Sequence, residues 1–320
     1  MLKRNNFLLI VLAALAGLFL ISKFFLEKKT EQTFRGEFPV IDSAAVSEIV
    51  LYPTNEAHRE IRITRNKNGW TVGRDSFHAE ADTNAVIHLL NDLLKMKPEH
   101  LAAKSKDKWK DFQLTDSLAT RVKLLDDHKN KLRDIMIGRF GFQPQSRSGL
   151  TYVRMADEDE VYSVPGLLSM SINQGINNWR NKTFIQVERS DVSKIIFGYP
   201  SDSGFAAVKK DSLWFSDTND TLNMDNYFGA ISMFKGYRYA DDFRPEGKTP
   251  LFTLKIETKG GKTTEVRGYP GKAPGEYIFN STMNPNTFFQ YGAAEIPRLL
   301  PRKEDLLKTQ KHESKKKVSH

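Results

Sequence analysis

The stretch VSEIVLYP at residues 46–53 nearly recurs as VSKIIFGYP at residues 192–200, and this repetition decides the fold. Each copy is followed by a strand-like stretch, then by a tryptophan, Trp70 or Trp214, and then by a short helical pattern. Internal repetition marks one supersecondary unit that is used twice. The sequence therefore predicts two tandem, related units.

Within each copy, the hydrophobic pattern predicts strands, a helix and further strands. Residues 60–65 alternate polar and apolar side chains, as half-exposed strands do. Apolar residues from Val86 onward recur at helical spacing behind a capping Asp82 or Thr83, and the matching helix is expected from about Asp225. Segregated strands with few helices are typical of the α+β class, with an antiparallel sheet and one or two helices in each unit.

The sequence predicts four segments along the chain. They are a membrane anchor at residues 1–29, the two units at 30–184 and 185–297, and a basic, partly disordered tail at 298–320.

The N-terminus carries an apolar run from Phe7 to Leu26, preceded by Lys3 and Arg4. As a helix this run would be about 30 Å long, the hydrocarbon thickness of a bilayer. Two interpretations remain open: an uncleaved signal anchor, or a signal peptide cleaved after the A-x-A site at residues 14–16. The apolar length favours the anchor. The expected location is the inner membrane, crossed once by this helix, with the body in the periplasm.

The charge distribution and the absence of cysteine exclude several classes of function. The formal net charge of +9 is concentrated in residues 1–29 and 298–320. A nucleic-acid-binding module carries its basic surface on the folded part, so no nucleic-acid partner is expected. The chain has no cysteine, which excludes disulfides, thiolate metal sites and cysteine nucleophiles.

Three local patterns resemble catalytic or metal motifs but lack the required context. The GGKT stretch at residues 260–263 lacks the first glycine of a phosphate-binding loop and lies between two strand patterns. The S-x-x-K pattern at residues 105–108 lies in a lysine-rich run without a K-T-G partner motif. The side chains of His78, Glu80, Asp82 and His88 are of the types that bind metals, but their pattern is more typical of a polar loop followed by a helix start than of a metal site. We therefore predict no catalytic residue, no cofactor and no metal, although a catalytic site assembled by the fold leaves no local signature.

The segment that joins the two copies is the candidate functional element. Here Trp179, Arg180 and Lys182 lie in the stretch WRNK. An arginine suits a structural brace because its planar fork holds a geometry that lysine cannot hold. The first hypothesis is that Arg180 pairs with a carboxylate or with carbonyls and fixes the angle between the units. The alternative is a solvated basic linker, since most surface ion pairs contribute little.

A series of short stretches occurs in an order typical of one protein family: Ile49-Val50-Leu51, Gly69-Trp70, Ile137-Gly138, Tyr152-Val153, Val161-Tyr162, residues 179–182, Phe184 and residues 192–195. Through these stretches the chain resembles the bacterial domain-of-unknown-function 4340 family, whose members carry one N-terminal membrane segment before this order of elements. The resemblance would cover about residues 45–290, and it implies no known catalysis. It does imply a partner, because such proteins are often encoded beside auxiliary components of a gliding-type ABC transporter.

Two functions of different classes are compatible with these observations. The first is a non-enzymatic, membrane-anchored accessory component of an ABC transporter or another envelope complex. The second is a periplasmic ligand-binding protein or enzyme with a site between the two repeats. A flat apolar patch would favour the first function, whereas a deep pocket with converging polar groups would favour the second.

Overall fold

The computed structural model describes residues 37–143, 148–200 and 204–307. The chain divides into two compact units, residues 1–180 and 181–320, so the division falls four positions before the predicted boundary at 184. Both units consist mostly of antiparallel sheet with a few short helices. The predicted sheet-rich α+β class is confirmed at this level.

The first unit contains one nine-stranded sheet, in the order β4-β3-β2-β1-β6-β7-β8-β9-β5. Its pairings are all antiparallel. The strands are β1 (Glu48–Tyr52), β2 (Ile61–Asn66), β3 (Gly69–Arg74), β4 (Phe77–Glu80), β5 (His100–Ala103), β6 (Thr120–Leu125), β7 (Lys131–Gln143), β8 (Ser148–Met155) and β9 (Val161–Pro165). The α-helices in the described part of this unit are α1 (Thr83–Leu94), α2 (Leu168–Ile172) and α3 (Ile176–Trp179).

Helix α1 covers one face of this sheet. Asp82 caps it by accepting a hydrogen bond from the Ala85 backbone N–H at 3.1 Å, which satisfies one of the free donors of the first turn. Four aliphatic side chains on one stripe of α1 are buried against the sheet: Val86, Leu89, Leu90 and Leu93. The predicted helix and its cap are therefore confirmed, and Trp70 is buried in the same cluster.

A long loop covers the opposite face of β7, β8 and β9. Residues 104–119 place Trp109 and Leu114 against Met136 and Val161 in a second, smaller apolar cluster. Met136 lies between Ile135 and Ile137, which face the main core, so it points to the other side of the sheet. The first sheet is thus covered on both faces at this end.

The second unit contains an eight-stranded sheet in the order β14-β13-β12-β11-β16-β17-β18-β19, and a separate pair, β10-β15. The strands are β10 (Thr183–Gln186), β11 (Val192–Gly198), β12 (Phe205–Lys210), β13 (Leu213–Ser216), β14 (Thr221–Leu222), β15 (Met233–Lys235), β16 (Phe252–Thr258), β17 (Thr263–Pro270), β18 (Glu276–Ser281) and β19 (Asn284–Gly292). The helices are α4 (Asp225–Ile231), α5 (Ile296–Leu299) and α6 (Lys303–Leu306).

Aromatic rings make up a large part of the second core. Helix α4 starts at Asp225, as predicted, and it buries Tyr227, Phe228 and Ile231 against the sheet. On the other face, Phe243 from the loop before β16 packs against Tyr269 of β17. Trp214 is buried in the main cluster.

The C-terminal leucines belong to this core. Leu299, Leu300 and Leu306 are all buried in it. The ordered part of the second unit therefore continues past residue 297, where the tail was expected to begin. The residues from 308 onward lie outside the described part of the chain.

The prediction of a single-pass protein of the inner membrane, with its body in the periplasm, is wrong for the part of the chain that the structure describes. Within it, no helix has the length and apolar character that a membrane crossing requires. The longest helix there, α1, has 12 residues and a polar face, which gives about 18 Å where a span needs about 30 Å. The predicted anchor at 1–29, with its span from Phe7 to Leu26, lies outside the described residues.

Candidate functional site

The predicted junction residues lie in two different units. Trp179 ends α3 and is buried in the core of the first unit. Arg180 follows it and forms an antiparallel bridge with Ala81, while the carbonyl of Trp179 accepts a hydrogen bond from the Asp82 N–H at 2.8 Å. Lys182 belongs to the second unit, where its carbonyl accepts a hydrogen bond from the Gly236 N–H at 2.8 Å.

The side chain of Arg180 is packed into the first unit. It is 2% exposed, and its guanidinium lies 4.7 Å from the centre of the Phe77 ring. Its Nη1 also donates a hydrogen bond to Asn177 Oδ1 at 3.1 Å. The structure therefore brings Trp179 and Arg180 together as a closing segment that returns to the start of α1. The hypothesis that Arg180 fixes the angle between the units stays a prediction.

A similar closing segment ends the second unit. Leu307 forms an antiparallel bridge with Leu222, and the Asn223 N–H donates to the Leu306 carbonyl at 2.7 Å. Leu222 directly precedes the turn into α4, as Ala81 precedes the turn into α1. Sequence reasoning missed this correspondence because the pair Trp179-Arg180 shares no chemistry with the pair Leu306-Leu307.

A cleft of about 1080 Å³ opens at one end of the second sheet. Four aromatic rings from β12, β16, β18 and the end of β11 form one wall: Phe205, Phe252, Tyr277 and Tyr199. The opposite wall is apolar and comes from α5 and the residues that follow it: Ile296, Pro297 and Leu300. We call this site the aromatic cleft.

Ring stacking and one hydrogen bond hold the aromatic wall in place. The Phe205 ring stacks between Phe197, at 4.5 Å, and Tyr199, at 6.5 Å, while Phe252 contacts Tyr277 edge to face at 5.1 Å. The Tyr199 hydroxyl donates to the carbonyl of Pro301. The wall is therefore a preformed surface whose rings lose little freedom when a ligand binds.

Acidic groups dominate the rim of the aromatic cleft. Asp217, Glu304 and Asp305 are exposed there, together with Arg302. The other basic group, Lys303, donates to Asp220 Oδ2 at 3.1 Å. Burial raises the pKa of the Tyr199 hydroxyl well above its ordinary value, and the nearby carboxylates of Asp305 and Glu304 raise it further.

The first unit carries a different kind of exposed surface on the β7-β8 hairpin. Phe140 and Phe142 are 55% and 63% exposed. Phe142 pairs with Gly149, and a Cβ added to Gly149 would collide with the Leu167 side chain at 2.5 Å, so Phe142 and Leu167 share one face. Met170 follows on α2 and is 55% exposed. We call these four side chains the open hairpin patch.

The other face of the same hairpin is closed. The Arg139 guanidinium lies 5.0 Å from the Tyr152 ring and 5.7 Å from the Phe112 ring, and its Nε donates to the Asp111 carbonyl at 2.9 Å. The hairpin is thus anchored on one side and presents apolar rings to solvent on the other. The spacing Phe140-Gly141-Phe142, with two rings on one face, is the sequence signal that could have revealed the patch.

The described residues bring together no metal site. Nowhere in residues 37–143, 148–200 and 204–307 do three or more histidine, cysteine, aspartate or glutamate side chains cluster in a way that could hold an ion. Asp82, one of the ligand types noted near His78 and His88, caps α1 instead. The candidate surfaces of this molecule are an aromatic cleft and an apolar patch.

Comparison with known proteins places this sheet-rich chain in a family. The model of the family described as "Domain of unknown function (DUF4340)" matches residues 74–235. The match runs from the end of β3 to β15, and it covers half of the chain. The protein belongs to this family. Neither a curated protein nor a solved structure matches the chain.

Proposed function

We propose that this protein is a non-enzymatic accessory component of an ABC transporter or a related complex, and that it acts through protein contacts. The open hairpin patch carries this proposal. Soluble proteins rarely leave large apolar side chains exposed side by side unless a partner covers them. Aromatic and methionine side chains are also enriched in the centres of protein interfaces, and the patch consists of Phe140, Phe142, Leu167 and Met170.

The backbone of the hairpin supports a rigid docking surface. The Gly166 N–H donates to the Gly149 carbonyl at 2.9 Å, and the Thr151 hydroxyl donates to the Gly166 carbonyl at 2.8 Å. These bonds tie the loop that carries Leu167 to the strand opposite the two phenylalanines. A preformed patch binds with a smaller loss of conformational freedom than a mobile one.

We also propose that the two units are copies of one ancestral unit. Both sheets place the first four strands in reverse order beside the strands that follow the helix. Helices α1 and α4 each follow a residue that is bridged by the closing segment of its unit, and the loops before β6 and β16 each cover the back of a sheet. The conserved order of these elements supports duplication more strongly than the short sequence repeat does.

The experiment is affinity purification of the full chain from its native host, with and without the double substitution Phe140→Gln and Phe142→Gln. Both side chains are exposed, so the fold should tolerate the change. We expect the wild type to recover a transporter component and the double variant to lose at least about nine tenths of it, as expected when two central anchors are removed. Met233→Gln is the matched control, because Met233 is 64% exposed but lies in the second unit. Equal recovery by all three proteins would contradict the proposal.

A further inference from the structure

We infer that the aromatic cleft of the second unit is a binding site for an extended, proline-containing peptide segment that carries a basic side chain. This inference goes beyond the proposed function, because the open hairpin patch lies in the other unit. It depends on the shape, the chemistry and the charge of the cleft.

The aromatic wall has the length of a short extended peptide. Its rings come from β12, the end of β11, β16 and β18, and the strand order places β17 between the last two. Five neighbouring strands span about 19 Å, since adjacent strands lie about 4.8 Å apart. A polyproline II segment rises about 3.1 Å per residue, so about six residues would cover the wall.

The composition of the wall suits proline rings. Proline-rich segments are already extended before they bind, and they dock on grooves that are lined with aromatic side chains. The partly exposed rings of Tyr199 and Tyr277 offer such a surface, and the buried rings of Phe205 and Phe252, at 7% and 9% exposed, support them from behind. The Tyr277 hydroxyl makes no hydrogen bond within the described part of the chain and is half-exposed, so it can donate to a peptide carbonyl.

The rim selects for positive charge. Asp217, Glu304 and Asp305 face the opening, and Arg302 is the one basic group there that is not tied to an acidic side chain within the described residues. Complementary charge at a rim favours the matching partner and speeds its association. A lysine or arginine beside the proline residues would meet this acidic rim.

The first unit shows why the cleft is specific to the second. The hairpin end that follows β1 is closed: the Asn55 N–H donates to Asn173 Oδ1 at 3.1 Å, and Asn55 Nδ2 donates to the Asn173 carbonyl at 2.9 Å. Beside it, the Glu56 carboxylate lies so close to Gly175 that an added Cβ would meet Oε1 at 2.3 Å. At the end that follows β11, one hydrogen bond from the Tyr199 hydroxyl to the Pro301 carbonyl ties the strand end to the segment after α5, and the cleft opens beside it.

Binding to the full chain can be measured by fluorescence anisotropy with dye-labelled proline peptides of about eight residues, a length that covers the wall. Three such peptides are compared. They are identical except at two positions, which are both arginine in the first peptide, both serine in the second and both glutamate in the third. We expect the arginine peptide to bind about 10-fold more tightly than the glutamate peptide, and added salt should narrow the difference. Equal binding of all three peptides, or no saturable binding by any of them, would overturn the inference.

Substitutions in the cleft locate the site. The double variant Asp217→Asn and Glu304→Gln should weaken binding of the arginine peptide about 5-fold and leave the serine peptide unchanged. Tyr277→Phe should weaken all three peptides about 3-fold, because it removes only the hydroxyl. Asp211→Asn is the control, since Asp211 is exposed at the far end of β12 and its left-handed φ of 56° suits asparagine. If both cleft variants bind like the wild type, the site lies elsewhere and the inference fails.

The two proposals fail separately in these experiments. The variant Phe140→Gln and Phe142→Gln should bind the arginine peptide as the wild type does. Loss of peptide binding in that variant would assign the peptide to the open hairpin patch and overturn the cleft assignment.

Discussion

The two units use nearly the same strand order but fill it with different side chains. In the first unit, two of the 23 buried residues of the main cluster are aromatic, Trp70 and Trp179. In the second, aromatic rings make up 11 of 26. Helix α1 has 12 residues, whereas α4 has seven. Because each aromatic side chain buries about 150–250 Å², a shorter helix with larger side chains covers a sheet of similar size.

This comparison shows which features of a unit are interchangeable. The alternation of apolar and polar side chains along the strands determines which face of each strand is buried. Aliphatic and aromatic residues can both occupy the apolar positions of this pattern. The two units differ more on the face of the sheet that is opposite to helix α1 or α4. In the first unit a buried arginine, Arg154, lies under Trp109, while in the second an exposed Lys248 lies over Phe243.

The largest expected effect concerns the two tryptophans that occupy the same place in each unit. Trp70 and Trp214 are 5% and 4% exposed. Trp70→Ala and Trp214→Ala should each lower the free energy of unfolding by about 3–5 kcal/mol, because each leaves a cavity in a packed core. Urea unfolding of the full chain measures this. A cost below about 1 kcal/mol for one variant alone would break the equivalence of the two units.

The second effect concerns Arg154, the buried arginine on the back of the first sheet. Arg154 Nε donates to the Leu114 carbonyl at 3.0 Å, and Nη1 donates to the carbonyls of Met155 and Ala156, each at 3.0 Å. Arg154→Met should cost about 3 kcal/mol, since three carbonyls lose their donors at about 1 kcal/mol each. We also expect faster proteolysis within residues 104–119, which Arg154 holds on the sheet.

The counterpart in the second unit supplies the control. Lys248 is exposed, so Lys248→Met should change the free energy of unfolding by less than about 0.5 kcal/mol. A similar loss of unfolding free energy in both variants would show that the loops before β6 and β16 are held on their sheets in the same way.

The smallest effect is expected at the closing segment of the first unit. Arg180→Lys keeps the charge but loses the planar contact with Phe77 and the fork that reaches Asn177. We expect a loss of about 1 kcal/mol, with faster proteolysis near residues 175–190 and each unit still folded. A digestion pattern identical to that of the wild type would show that the contacts of Arg180 with Phe77 and Asn177 do not hold the closing segment in place.

The sequence predicts those parts of the fold whose signals are local. The alternation at residues 60–65, the cap at Asp82 and the start of α4 at Asp225 each lie within a few residues of the element that they specify, and all three hold in the structure. The tail was harder to predict, because charged neighbours in the sequence hide the apolar stripe of Leu299 and Leu306.

The candidate surfaces depend on contacts between residues that are distant in the sequence. Arg154 follows Tyr152-Val153 in an ordinary strand pattern, and only the distant Trp109 and Leu114 reveal that it is buried. The rings of the aromatic cleft lie on strands as far apart in the chain as Tyr199 and Tyr277. Only the pairing of the strands brings such positions together, and pairing partners leave no mark in a single sequence.

The closing bridge also determines the order in which the molecule can be completed during synthesis. In the first unit, Ala81 cannot form its bridge until the ribosome has added Arg180, roughly a hundred residues later. Until then, the start of α1 is uncovered and the long loop has to close at an entropic cost. The first unit therefore cannot form its closing bridge until Arg180 has been added, and the second cannot form its own until Leu307 has been added. A nascent chain that stalls a few residues before 180 would expose an incomplete unit, whereas one released just after it would carry a finished one.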